Sequence, residues 1–314
     1  MRAFIGVPAL LLSITMLSAP SAALAVSGTL SPAYGPPLAV QASQSNVIFL
    51  GSHGGIADPS ATVSQSANTE LDAAYGYVSG GVLYLFFSGS QLSEVQLEGG
   101  IQHVSPLDVF IDCAPGGQQL LLSNNPTVTF TFDLTKMTGL KFDDGFSADY
   151  CLSLGVDPAN SFYQFGAYYA VLPAGGGGPG TYLGHTMAGP PGTLSGGTNP
   201  FGIQVTLDDS NKLGLGNGCG PAAANVVTTG VEWAIPLAAI GNPSGCIRVC
   251  ALDPNDVHSQ ISNQVMGPLP TGSCAYTLAS ATDFSAIPGD QFVTVCNPTP
   301  ARGTTWGKLK TIYR

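Results

Sequence analysis

The stretch Val82-Leu-Tyr-Leu-Phe-Phe87 is apolar at every position, so a strand formed here has no polar face. Such a strand suits the centre of a β-sheet that is covered on both sides. Eight further segments are short, rich in β-branched or aromatic residues, and bounded by Gly, Pro, Asn or Asp, which is typical of strands joined by turns. The nine predicted strands are residues 46–50, 82–88, 107–112, 127–134, 162–172, 201–207, 226–235, 246–252 and 291–295.

Helical periodicity is not sustained in any window, and the best candidate is a single turn at Leu237–Ile240 after Pro236. Residues 127–133 alternate polar with apolar side chains, which predicts a half-buried antiparallel strand. Residues 173–200 contain ten Gly and five Pro, which predicts an exposed loop. We therefore expect an all-β protein, an antiparallel, jelly-roll-like β-sandwich with long Gly/Pro-rich loops and little helix.

The first residues predict the compartment. Arg2 is followed by an apolar run and by the small-x-small sequence Ala23-Leu-Ala25, which together are typical of a secretory signal peptide. No later stretch of about 18 apolar residues could span a bilayer, so we expect a secreted protein, extracellular or at the cell surface. The predicted organisation is a signal peptide over 1–25, a linker over 26–45, a β-sandwich domain over 46–297 and a tail over 298–314.

Charge and composition exclude several classes of partner. Only 9% of the residues are charged, against 41 Gly and 24 Pro among 314 residues, a profile of extracellular β-proteins rich in tight turns. The formal charge of −10 becomes −11 when Arg2 leaves with the signal peptide. Such a charge disfavours nucleic acid and anionic lipid as partners.

Seven cysteines follow the predicted cleavage site, and in an oxidising compartment they are candidates for disulfides with one thiol left over. Cys246 and Cys250 lie on one face of a predicted strand about 13 Å apart, too far to bond each other. Zinc is the alternative, but no C-x-x-C pair occurs. The candidates are Cys113, Cys151, Cys219, Cys246, Cys250, Cys274 and Cys296.

Carboxylates supply the one metal hypothesis. Asp143, Asp144 and Asp149 surround a short loop and could hold calcium with loop carbonyls, the alternative being a solvated turn. Asp108 and Asp112 are about 13 Å apart along one strand, too far for a glycosidase pair. No other cofactor and no catalytic set of acid, base and nucleophile is predicted.

Aromatic residues are the candidates for ligand binding. A sugar-binding protein needs exposed rings, and Tyr168, Tyr182 and Trp233 are the candidates for such a platform, the alternative being core or cross-strand packing.

Four motifs follow one another in the chain: Leu71-Asp-Ala-Ala-Tyr-Gly76, Leu83-Tyr-Leu-Phe86, Val109-Phe-Ile-Asp112 and Gly230-Val-Glu-Trp-Ala-Ile-Pro236. Their order resembles the carbohydrate-binding family 9-like and DOMON-like β-sandwiches, over residues 71–252. The resemblance implies a β-sandwich; its sugar-binding members clamp a sugar between tryptophans, and its haem-binding members use Met and His ligands. Residues 262–270 and 287–291 also resemble an uncharacterised group of exported bacterial proteins that carry cell-surface sorting tails.

The C-terminal residues 304–314 are basic and aromatic in an acidic protein, which predicts either a sorting tag or a final edge strand. Taken together, the sequence predicts an exported, non-enzymatic module that binds a glycan or another surface polymer. The alternative is a structural, self-associating subunit of a surface layer or extracellular filament. A hydrolase is the weakest of the three hypotheses.

Overall fold

The computed structural model describes residues 26–41, 49–50, 55–56, 70–91, 106–129, 131–157, 164–208, 210, 226–255, 257–270 and 277–296. These residues form an all-β sandwich of antiparallel sheets, as the sequence predicts. No helix in these ranges reaches seven residues, and none is long and apolar enough to cross a membrane. Short 3-10 turns occur at Pro32–Tyr34, Leu134–Met137, Leu237–Ile240 and Phe284–Ala286.

The smaller sheet has five strands. Its members are β1 (Ala39–Val40), β4 (Glu70–Ser79), β5 (Val82–Ser90), β13 (Gln204–Leu207) and β14 (Gly230–Pro236), in the spatial order β1-β4-β5-β14-β13. The predicted central strand is β5, which lies between β4 and β14 and is buried on both faces. Two short strands, β2 (Phe49–Leu50) and β3 (Gly55–Ile56), pair with each other.

The larger sheet has nine strands, which are β6 (Leu107–Asp112), β9 (Tyr150–Val156), β10 (Gln164–Val171), β11 (Gly180–Met187), β12 (Ser195–Gly196), β15 (Cys246–Pro254), β16 (Gln260–Met266), β17 (Thr277–Ala279) and β18 (Val293–Cys296). Eight of them follow the spatial order β12-β11-β10-β9-β6-β15-β16-β17. The ninth, β18, pairs with the first half of β15.

The main core lies between the two sheets. Leu85 of β5 and Trp233 of β14 face Val109 of β6 and Val249 of β15 in one apolar cluster. The larger sheet also buries its second face, because residues 113–129 and 131–149 fold over it and place Phe132 and Phe142 on its aromatic side chains. The fold therefore has a third, largely irregular layer outside the larger sheet.

The predicted linker is wrong for residues 26–41. Val26 and Tyr34 are buried against the outer face of the smaller sheet, and Ala39–Val40 forms its edge strand β1. The predicted loop 173–200 is also wrong in part, because it contains β11 and β12. Residues 42–45 and 298–314, with the predicted tail, lie outside the described residues.

The predicted strand 127–134 is broken into a hairpin. Its halves are β7 (Thr127–Thr129) and β8 (Phe132–Asp133), which pair with each other. The carboxylate of Asp133 holds the hairpin and ends its second strand, since it accepts hydrogen bonds from the Thr127 hydroxyl across the pair at 2.7 Å and from the Thr135 backbone N–H at 3.1 Å. Asp133 thus begins the 3-10 turn that follows.

Candidate functional site

Four polar side chains meet at one edge of the larger sheet. Tyr182 and His185 belong to β11, Ser195 lies directly opposite His185 on β12, and Asp157 follows β9. The Tyr182 Oη and His185 Nδ1 atoms are 3.1 Å apart, and Asp157 Oδ2 lies 3.4 Å from the same nitrogen. The other ring nitrogen, Nε2, is 3.4 Å from Ser195 Oγ. We call Asp157, Tyr182, His185 and Ser195 the His185 cluster.

A β-bulge brings two of these side chains to one face. The register between β10 and β11 shifts after Ala167, so that Leu183 is the extra residue. Tyr182 and His185, three positions apart, therefore point to the same side of the sheet, whereas Leu183 enters the main core.

Glycine allows the close approach of β12. A Cβ atom at Gly196 would lie 2.7 Å from His185 Cε1, and Gly196 has a φ of 75°. A side chain here would displace the imidazole and strain the backbone. Gly196 therefore positions His185 without contributing a side chain.

Burial in the His185 cluster increases from Ser195 to Asp157. Ser195 is exposed, the His185 side chain is 20% exposed, and the Asp157 side chain is fully buried. Burial and the negative charge of Asp157 raise the pKa of Tyr182 above its ordinary range. The Tyr182 hydroxyl therefore stays protonated and can donate a hydrogen bond to the cluster.

The predicted ligand-binding rings differ in exposure. Trp233 is fully buried in the main core, and Tyr168 is fully buried beneath Phe132, whose ring is stacked on it at 5.2 Å. Their burial does not fit an exposed platform, because neither ring offers a free face. Tyr182 is half-buried and is the one ring of the three that reaches the surface. Tyr168 supports it from below, with ring centroids 5.5 Å apart.

The predicted calcium ligands are engaged separately. Asp149 Oδ2 accepts hydrogen bonds from two consecutive backbone N–H groups after β6, each at 2.8 Å. Asp143 accepts one from the backbone of Gln291, and Asp144 accepts one from the Gln119 side chain at 3.1 Å. No three His, Cys, Asp or Glu side chains of the described ranges are arranged to hold a metal ion. These carboxylates brace the third layer and do not form the predicted calcium site.

One disulfide is present among the described residues. It joins Cys246 to Cys296, which lie opposite each other on β15 and β18. Cys151 and Cys250 are buried, and their thiols are free. Both residues lie opposite Phe110, one on each side of β6. Two strand spacings, about 9.6 Å, separate them, which is beyond disulfide reach.

The remaining cysteine predictions have two outcomes. Cys113 is a free, half-buried thiol, and burial raises its pKa to about 12. Three thiols, those of Cys113, Cys151 and Cys250, are thus free where the sequence predicts one left over, so the prediction of disulfides is wrong for two of these three cysteines. Cys219 and Cys274 lie outside the described residues.

A second histidine is closed to ligands. His258 Nε2 lies 3.0 Å from Asp108 Oδ2, and both side chains are fully buried. Nearby, the Gln91 amide donates to Asp253 at 3.2 Å, and burial raises the pKa of Asp253 well above its usual range. This polar group joins the ends of β6, β15 and the β15–β16 turn, and its burial assigns it a structural role.

A surface pocket of about 460 Å³ lies beside the first described residues. It is lined by Ser27, Thr29, Ala188, Gly189, Pro190, Leu207 and Asp208.

Comparison with protein-family models, with curated proteins and with solved structures found no match to this chain. Sequence patterns identify Tyr182, but they miss the grouping of Asp157, His185 and Ser195, which only the strand register brings together.

Proposed function

We propose that this protein is exported and binds a glycan or another neutral surface polymer through the His185 cluster, without catalysing a reaction. The observation that carries the proposal is the position of the half-buried Tyr182 ring beside the polar atoms of His185 and Ser195.

Sugars present both apolar C–H faces and hydroxyl groups. An aromatic ring packs against the C–H face, while imidazole and hydroxyl groups exchange hydrogen bonds with the sugar hydroxyls. The buried Asp157 holds the His185 ring from behind, so a ligand meets a preorganised group. The net charge of −10 favours a neutral over an anionic polymer.

A glycan array probed with the secreted protein tests this proposal. We expect His185→Ala and Tyr182→Ala to lower affinity for the captured glycan by about tenfold or more, which corresponds to loss of one good polar or ring contact. Arg248→Ala, an exposed change on β15, is the matched control and should bind as the parent does.

Two results would contradict the binding proposal. One is an array on which no glycan is retained, and the other is a His185→Ala variant with unchanged affinity. A regular assembly in light scattering that binds no glycan would favour the structural-subunit hypothesis instead.

A second candidate function is acyl hydrolysis. Ser195, His185 and Asp157 follow one another in the order of nucleophile, base and orienting acid. The distance from Ser195 Oγ to His185 Nε2 and the distance from His185 Nδ1 to Asp157 Oδ2 are both 3.4 Å. Both are slightly longer than a formed hydrogen bond, as is common without substrate. In this role Ser195 Oγ would attack an ester carbonyl while His185 Nε2 accepts the hydroxyl proton.

A fluorophosphonate probe distinguishes the two functions, since it labels an activated serine. If the binding proposal is correct, Ser195 stays unlabelled and Ser195→Ala hydrolyses activated esters no more slowly than the parent. Labelling at Ser195 that is lost in His185→Ala would establish the hydrolase.

A further inference from the structure

A carboxylate is buried in the middle of the smaller sheet. Glu232 of β14 is 1% exposed and lies between Phe86 of β5 and Thr206 of β13 in the register of the sheet. Its neighbours Val231 and Trp233 point into the main core, so Glu232 points to the outer face. The N-terminal residues cover it there.

These N-terminal residues bind Glu232 through their backbone. Glu232 Oε2 accepts hydrogen bonds from the N–H groups of Ser27 at 2.6 Å and Gly28 at 3.0 Å. Glu232 Oε1 accepts one from the Tyr34 hydroxyl at 2.9 Å. Gly28 has a φ of 75°, which lets successive N–H groups converge as an anion-binding nest.

The surroundings of Glu232 are acidic. Of the nine Lys and Arg residues, the described part of the chain contains Lys136, Lys141 and Arg248, and none forms an ion pair with Glu232. A second carboxylate, Asp208, lies at the same end and accepts a hydrogen bond from Thr29 at 3.2 Å. Hydrogen bonds alone compensate a buried charge incompletely, and a cation in good geometry would add to that compensation against the cost of its own desolvation.

Val26 is the residue directly before these two backbone donors. It is fully buried in the cluster that includes Tyr34 and Phe86, and its nitrogen is one residue before the Ser27 N–H that binds Glu232. The small-x-small site Ala23-Leu-Ala25 ends immediately before it.

We propose that hydrolysis of the Ala25–Val26 bond creates an α-ammonium group on Val26 that forms a buried ion pair with Glu232 and completes the fold. A signal peptidase would supply the catalysis: water adds across the bond, Ala25 leaves with the carboxylate, and Val26 keeps the amine, which is protonated at neutral pH. The inference rests on the export included in the proposed function, but it is independent of what the His185 cluster binds.

Two consequences follow from this ion pair. An uncleaved chain has an uncharged amide at Val26, so it lacks the cation and is the less stable form. Residues 26–41, which the sequence predicts to be part of a linker, thus belong to the folded structure, and their stability depends on cleavage before Val26.

A comparison of two N-termini tests the proposal. Residues 26–314 are released by a protease that cuts directly before Val26, and a matched protein keeps Ala25 with its α-amine acetylated, so that it has no cation near Glu232. We expect the retained Ala25 to lower the melting temperature by about 6–12 °C, the effect of breaking a buried ion pair. In a Glu232→Gln background the same extension should cost much less.

Three results would overturn the proposal. Equal melting temperatures for the two proteins would show that the amine does not contribute, and an undiminished loss in Glu232→Gln would show a steric effect. An exported protein whose first residue is not Val26 would remove the amine from the site. If Glu232→Gln does not fold, the rate of reductive methylation at the α-amine decides: protection in the native protein supports the pair, and reactivity as fast as in urea refutes it.

Discussion

Stability of this protein should rise as the solution is acidified from neutral pH, and Asp72 is the group that makes the effect large. Asp72 lies on β4 beside Glu70, and both side chains are buried. Burial raises the pKa of Asp72 to about 7, and the hydrogen bond with Glu70 offsets only part of that rise. In the unfolded chain the same carboxyl has a pKa of about 3.9.

The sign of the effect follows from proton uptake. Between about pH 4 and about pH 7 the folded protein keeps a proton on Asp72 that the unfolded chain has lost. The free energy of unfolding therefore falls by about 1.4 kcal/mol for each pH unit of increase in this window, or about 4 kcal/mol in total. Burial also raises the pKa values of Asp143, Asp149 and Asp253, which adds to the trend.

Urea denaturation at several pH values across this window measures the slope. Asp72→Asn removes one titrating group with little change of shape, so it should be more stable than the parent at neutral pH and should have a shallower slope. Asp144→Asn, an exposed change in the third layer, is the control and should keep the parental slope. A parental stability that is flat or rises between about pH 4 and about pH 7, or an Asp72→Asn variant with the full slope, would refute the reasoning.

Three further predictions concern single contacts. Replacing Cys246 and Cys296 by Ser opens a loop with a sequence separation of 50 and should cost about 4 kcal/mol, a loss that reductant should reproduce in the parent during urea denaturation. Gly196→Ala should lower stability by about 1 kcal/mol and weaken glycan binding, because its Cβ would displace His185; unchanged melting and binding would contradict the assigned role of this glycine. Arg248→Ala should change stability by about 0.5 kcal/mol or less, since its side chain is 45% exposed, and a larger loss in the same melts would show that the ion pair is not solvent-screened.

Sequence patterns predict those elements whose signals lie within or next to the segment itself, such as a mostly apolar run or a bounding Pro or Gly. The observed strand Leu107–Asp112 has the predicted bounds. Every residue of it is buried, and the mostly apolar composition of this run shows that burial already in the sequence. The turn at Leu237–Ile240 is also confirmed, because Pro236 precedes it and Gly241 ends it in the left-handed conformation.

Features that depend on distant partners are missed. The glycines of residues 173–200 indicate a loop, yet several of them allow close strand contacts: a Cβ at Gly184 would lie 2.4 Å from the Ser195 carbonyl oxygen. Residues 26–41 show no periodicity because their place is fixed by Glu232, more than 200 positions away. The His185 cluster is invisible in the sequence for the same reason, since a bulge and two strand registers assemble it.

The position of β6 inside the larger sheet also limits the order in which its two neighbouring strands can pair with it. Val109 of β6 pairs with Leu152 of β9 on one side and with Ala251 of β15 on the other. Because β15 comes much later in the chain than β9, it is synthesised long after β9. A chain synthesised from its N-terminus therefore lacks the β15 neighbour of β6 until most of its length has emerged. Because pairing with β15 closes a much longer loop than pairing with β9, we expect the larger sheet to be completed more slowly than its hairpins form, and until then β6 presents an open edge to other chains.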